Sequence, residues 1–346
     1  MTPASGFGIG DRYHSTLGER IMKRRYTRKL AVENLESRRL LTVVAELVEN
    51  TLLIKGDKDG NAVEVSGDGT MIAVSGDGED IGSFKDAEVD LILVKTGKGN
   101  DTVTVQPGST LNADVEIRTG KGDDSVNVGS FAGAAVDLIL VKTGKGNDTV
   151  DVELGSTPDA DVEIRTGGGD DWVDIGTSAD AAAELLLVKT GRGNDTVNVQ
   201  PDSIINADLE IRTGKGDDWV SIVDAYQRPG WATVNGDLHV HTGQGDDKVL
   251  SRDAQGVLWF TGWDVAGDMV IHTGPGDDDA AFQGTASNFV LDLGPGDDGG
   301  GFAVYVTGNA IVRGGKGDDF LWVYESFINP DLDKLVIKGI EDIRYR

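Results

Sequence analysis

The chain has 346 residues, 38% of them hydrophobic, 49 glycines, no cysteine and a formal net charge of -27. This composition allows a core, though a thin one. It excludes a disulfide framework, and no apolar run approaches the roughly 18 residues of a transmembrane helix. The charge is divided: residues 1–39 carry a net +5 and the remainder -32. A body this acidic repels nucleic acid and anionic membranes and attracts cations.

Residues 1–42 read as a basic N-terminal segment outside the fold. The run Met22-Lys23-Arg24-Arg25-Tyr26-Thr27-Arg28-Lys29 leads into Leu35-Glu36-Ser37-Arg38-Arg39-Leu40-Leu41. Leu35, Glu36, Arg38, Leu40 and Leu41 resemble the LEPR-XLL segment near the start of many secreted or surface proteins of planctomycete bacteria, with Ser37 in place of its proline. That resemblance implies export. The alternative is a disordered basic tail. Residues 1–21 carry no recognisable signal, so Met22 is a candidate true start. The run Leu40–Val48, broken by Thr42 and Glu46, is short for a signal-peptide core.

Residues 43–346 read as one repeat body. Residues 43–89 contain worn turns (Gly67-Asp68-Gly69, Gly76-Asp77-Gly78) and are expected to make the first coils and a cap. From Thr96 to Leu321 the turn Gly-x-Gly-(Asn/Asp)-Asp recurs ten times. Its Gly, Gly and Asp are Gly97, Gly99, Asp101; Gly120, Gly122, Asp124; Gly144, Gly146, Asp148; Gly167, Gly169, Asp171; and Gly191, Gly193, Asp195. They continue as Gly214, Gly216, Asp218; Gly243, Gly245, Asp247; Gly274, Gly276, Asp278; Gly294, Gly296, Asp298; and Gly315, Gly317, Asp319. The first six turns are spaced alternately by 23 and 24 residues. A fixed period of this size indicates a solenoid.

Three 47-residue units begin at Asp90, Asp137 and Glu184, each with a Leu-rich strand followed by Lys95, Lys142 or Lys189. Alternation of period two assigns the faces. Ile92, Val94, Val103 and Val105 point inward, whereas Leu91, Leu93, Lys95, Thr102 and Thr104 point outward. Abundant β-branched residues and a glycine pair in every repeat oppose helices. The sequence therefore predicts an all-β parallel β-solenoid (β-helix) with one coil per 23–24 residues, right-handed by the rule for parallel crossovers. Two strands flank each turn and a weaker third segment follows, such as Gln106–Ala113. Residues 90–223 are the regular coils, 224–266 carry aromatic insertions, and 267–346 hold the final coils and a cap, with Asp331–Arg346 closing the end.

Stacking would put the turn aspartates in one ladder with rungs about 4.8 Å apart. Each adjacent like-charge pair would then cost about 3–4 kcal/mol at an effective dielectric of 20. Protons, neighbouring basic side chains or bound cations must relieve this. The turns resemble the RTX, or hemolysin-type, calcium-binding repeat Gly-Gly-x-Gly-x-Asp-x-U-x, where U is large and apolar. Gly97, Gly99, Asp101 and Val103 match its second Gly, fourth Gly, Asp and U. Only Gly314–Leu321 has the whole pattern; most copies begin with Thr and the ninth with Leu293. The family repeats every nine residues, whereas here each long coil has one turn. The resemblance therefore implies one row of Ca2+ ions along one edge, with the thirty Gly and Asp residues as its site and an affinity of roughly 0.1–1 mM. The competing reading is that Asp only caps the turn by accepting backbone N–H groups.

The basic row Lys95, Arg118, Lys142, Arg165, Lys189 and Arg212 is expected to screen Glu116, Glu163 and Glu210. The outward Leu91, Leu93, Leu138, Leu140, Leu185 and Leu187 are either covered or form a lateral sticky face. Tyr226, Trp231, Trp259, Phe260 and Trp263 in the insertions suit a satellite core or a sugar-binding face, to which Trp172 and Trp219 add. His239, His241 and His272 fall on outward positions and allow a zinc site, though two simply continue the basic row. The functional expectation is a secreted or cell-surface calcium-binding rod with a structural or adhesive role, its partners being calcium ions and an extracellular polysaccharide or surface protein. The rivals are a carbohydrate-binding rod and a polysaccharide-degrading β-helix enzyme. The acids are periodic, so no catalytic constellation stands out.

Overall fold

The computed structural model describes residues 42–131, 136–155, 160–177, 185–221, 230–251, 261–324 and 335–345. The N-terminal segment and its LEPR-XLL-like motif lie outside them, as do Tyr226, Trp259 and Phe260. The described chain is a parallel β-solenoid. Its first facet is a thirteen-stranded sheet. Strands Leu91–Lys98, Asp114–Lys121, Leu138–Lys145, Asp161–Gly168, Leu185–Arg192 and Asp208–Lys215 stack there in parallel and in register. Beyond each Gly-Asp turn lies a second facet, with Thr102–Val105, Ser125–Val128, Thr149–Leu154, Trp172–Thr177 and Thr196–Val199 paired in the same order. The third segment is short at first, with isolated parallel bridges from Asp68 to Thr110 and from Ser109 to Phe131. It widens in the inserted coils to Ile204–Ile205, Gly230–Val234 and Thr261–Val265. The strand Asp279–Ala286 then pairs with both the second facet, at Lys248–Leu250, and the third segment, at Thr261–Val265.

Alternation along each strand builds the core. Ile92, Val94, Ile117, Val103, Val105 and Val126 are all at most 1% exposed, the faces that parity assigns. In a stacked coil every inward side chain meets its equivalents above and below, so β-branched residues in register pack efficiently. Leu111 and Ala113 of the third segment complete the layer. Trp263 is buried in the core, whereas Trp231 stays exposed and its ring lies across Gly262 of the next coil. The outward leucines are half-buried between ion pairs rather than fully covered. Glu116 meets Arg118 at 2.5 Å and Lys142 at 3.9 Å, Glu163 meets Arg165 and Lys189 likewise, and Glu210 meets Arg212.

The first coil is not where the worn turns predict it. Thr51–Lys55 pairs in parallel with Leu91–Lys98, and Ala62–Gly67 with Thr102–Val105. Residues 56–61 therefore make the first solenoid corner without the motif. Gly67-Asp68-Gly69 and Gly76-Asp77-Gly78 lie instead at reversals between antiparallel strands, Ala62–Gly67 with Met71–Gly76 and Met71–Gly76 with Glu79–Lys85. Antiparallel Val44–Val48 closes the other facet at this end. At the far end Leu335–Lys338 and Asp342–Tyr345 add one more parallel coil to both facets. Within the expected closing stretch these two strands are the last described coil of the stack.

The motif glycines have a steric reason to be glycine. Gly122 has φ +124°, and a Cβ there would lie 1.9 Å from Gly99 O. Gly120, at φ +111°, would meet Gly97 O at 2.3 Å. The carbonyl of one coil points at the bare Cα of the next, so identical corners stack only if that position lacks a side chain. Gly122→Ala is expected to lower unfolding stability by on the order of 3 kcal/mol or more, from strain plus overpacking. Lys121→Ala, on the exposed position beside it, is expected to change it by less than about 0.5 kcal/mol. Chemical denaturation of the two variants checks the contrast.

Candidate metal centre along the turn edge

A corner interrupts the strand ladders, so its backbone N–H groups need other acceptors. Two side-chain ladders provide them. Asp101 N donates to Asp124 Oδ1 at 2.9 Å, Asp124 N to Asp148 Oδ1, and Asp148 N to Asp171 Oδ1. The series runs on through Asp195, Asp218, Asp247, Asp278, Asp298 and Asp319. It begins at Asn61, whose N–H donates to Asp101 Oδ1, and ends where Asp319 N donates to Glu341 Oε2. The sequence reading missed both ends. Each lies in a corner that lacks the glycine pattern but keeps a group able to hydrogen-bond the ladder.

The second ladder runs the opposite way and lies outside. Asp123 N donates to Asn100 Oδ1, Asn147 N to Asp123 Oδ1, and Asp170 N to Asn147 Oδ1. It continues through Asn194 and Asp217 to Asp246, Asp277, Asp297 and Asp318. A similar stair at another corner, Asp208 to Asp237 to Asp268, was also missed.

The ten inner aspartates are no more than 2% exposed. Each uses Oδ1 for one backbone N–H, while each Oδ2 is buried without a hydrogen-bond partner, from Asp101 to Asp319. In the first eight turns a threonine hydroxyl lies beside the carboxyl; it donates onward along the stack, Thr119 Oγ1 to Thr143 O at 3.2 Å and Thr143 Oγ1 to Thr166 O at 3.3 Å, and its interaction with the carboxyl lowers the carboxyl pKa. Burial raises the carboxyl pKa values. Asp124, Asp148, Asp218, Asp247 and Asp278 are pushed up to about 6, and Asp195 and Asp298 to about 7. Neighbouring ladder carboxylates add to the rise, and the turn threonine hydroxyl and the backbone N–H bond oppose it.

The expected capping role is therefore met, and one oxygen per turn remains over. A hard cation that takes six to eight oxygens suits such an oxygen, with backbone carbonyls as its other donors. Gly97 O and Gly99 O point along the stack to the next glycine. Among the described residues no group of three or more His, Cys, Asp or Glu converges as a metal cluster. Each turn supplies a single buried inner carboxylate instead. His239, His241 and His272 do lie outward, but as a stack: His241 and His272 are parallel at 5.0 Å, and burial together with His272 lowers the His241 pKa.

Nor does a helix among the described residues have the length and apolarity to cross a membrane. No family model, curated protein or solved structure matches the chain.

The aspartate ladder has a pH consequence. The folded-state pKa values lie above the unfolded value of about 4, so folding takes up protons between about pH 4 and 7. The row's contribution to stability is full below about pH 4 and is lost as pH rises through 6 to 7. In chelator, the melting temperature is expected to fall between pH 5 and pH 8. Thermal scans across that range check it.

Proposed function

We propose that this protein is a secreted or cell-surface structural rod with an adhesive role, and that its turn edge binds Ca2+ in a single row. One observation carries the reading. The outer turn position accepts its hydrogen bond equally well as Asn (Asn100, Asn147, Asn194) or Asp (Asp123, Asp170). The inner position, which makes the same kind of bond, is Asp in all ten turns. Asn would satisfy the Oδ1 role without placing a row of buried charges about 4.8 Å apart. An aspartate retained there has a use for its second oxygen, and a positive partner is what a buried, unbonded carboxylate oxygen requires.

Asp101 through Asp319 would hold the ions through the second carboxylate oxygen of each. Calcium would supply the charge that lets the ladder stay ionised at neutral pH. A site assembled only when coils stack links binding to folding, so calcium would stabilise the folded rod by mass action. The weak affinity expected of such sites suits the calcium-rich exterior of cells. Export agrees with the LEPR-XLL-like segment. The even spread of acids along the repeat supports binding over catalysis.

Melting curves at pH 7.5 in chelator, magnesium and millimolar calcium test the reading, in the wild type and in Asp195→Asn. Calcium is expected to raise the wild-type melting temperature by several degrees and magnesium by less. In chelator Asp195→Asn is expected to be at least as stable as wild type, and in calcium to recover a smaller increase. Identical curves in all three conditions would refute calcium binding and leave protonation as the neutraliser.

A further inference from the structure

The outer face of the second facet carries a feature that the repeat does not require. In its first outward row, the positions that are Thr102, Ser125 and Thr149 in early coils become Trp172, Thr196, Trp219 and Lys248. Trp172 is 47% and Trp219 41% exposed, with Thr196 between them in register. Two strand spacings separate the rings' positions, about 9.6 Å. Lys248 Nζ lies 5.4 Å from the Trp219 ring centroid.

A polar row runs directly beside the tryptophans. Asp174, Asn198 and Ser221 occupy it in the same three coils. They are joined in a line: Asn198 Nδ2 donates to Asp174 Oδ1 at 3.0 Å, and Ser221 Oγ to Asn198 Oδ1 at 3.3 Å. One coil earlier, Asp151 pairs in register with Asp174. Both rows sit on strands, so the rings and the polar groups are held at fixed spacing.

We propose that this face is a carbohydrate-binding platform for a linear, neutral β-1,4-linked polysaccharide. In such a chain successive rings are turned over, so every second ring presents the same face to one side. The two-coil separation of Trp172 and Trp219 is about the length of that disaccharide repeat, and Thr196 leaves room for the inverted ring between. Exposed indole faces stack on the apolar face of a pyranose; Asn198 and Ser221 are buried and hold the row in place, so the half-buried Asp174 is its member open to the sugar's hydroxyls. The net charge of -27 and the nearby Asp151 and Asp174 disfavour a polyanionic glycan. A protein partner would call for a continuous apolar centre, whereas here each tryptophan is flanked by threonine or lysine. The proposal gives the adhesive rod its partner; in that sense it rests on the preceding reading, but it uses no residue of the turn edge.

Titration of the full chain with cellohexaose, xylohexaose and mannohexaose, followed by tryptophan fluorescence and calorimetry, tests it. At least one hexasaccharide is expected to bind with a Kd below 1 mM. Trp172→Ala and Trp219→Ala are each expected to weaken that binding tenfold or more, and Trp231→Ala, on another facet, to leave it unchanged. Circular dichroism verifies that each variant is folded. Titrations run in calcium and in chelator separate the two readings, because sugar binding that persists without any calcium effect on melting upholds the platform and removes the calcium row. No binding by any of the three at millimolar concentration, undiminished binding in the double variant, or preference for alginate over the neutral sugars would overturn the proposal.

Discussion

Everything in this molecule follows from stacking near-identical corners in parallel register about 4.8 Å apart. At that spacing a backbone carbonyl of one coil reaches the Cα of the next, as Gly97 O does at Gly120, so the corner must be glycine. Corner amides lie beyond the strand ladders and need side-chain acceptors, which the two Asp/Asn ladders provide. Register also multiplies any charge placed at a corner. A single buried aspartate is a local matter; ten in a column set the electrostatics of the whole edge.

The two ladders divide the work differently. Between its ends at Asn61 and Glu341 the inner one is ten buried aspartates. The outer one is exposed and mixed in its first half, then wholly acidic from Asp217 through Asp318. Over that second half Gln244, Pro275 and Pro295 replace the basic residue between the glycines, as at Lys98 and Lys121. The edge thus grows more acidic toward the C-terminus, while the opposite sheet face balances its own glutamates with Arg118, Arg165 and Arg212.

Much of this was legible in the sequence, because a solenoid repeats its reasons. The period predicted the coil, and parity predicted that Ile92 and Val103 face inward. What failed to show was whatever depends on position in the stack rather than on the repeat. The corner at residues 56–61 needs no second glycine-aspartate pattern, since only one neighbour stacks on it as a solenoid corner, so its motif is absent. Conversely, Gly67-Asp68-Gly69 and Gly76-Asp77-Gly78 resemble the repeat because tight antiparallel reversals also favour glycine and aspartate. The paired glycines, placed in the site by the resemblance, have a steric duty first. Trp263 and Trp231 could not be separated by composition, and their strand register places one in the core and the other outside.

The central claim is that the second oxygen of each inner aspartate is retained for a cation. The most direct measurement is the number of calcium ions bound per chain at pH 7.5, by equilibrium dialysis with elemental analysis. The account expects roughly one ion per gap between neighbouring marked turns, lost in step as inner aspartates are changed to asparagine. Retention of no calcium, or of a number that does not fall when those aspartates are replaced, would contradict it.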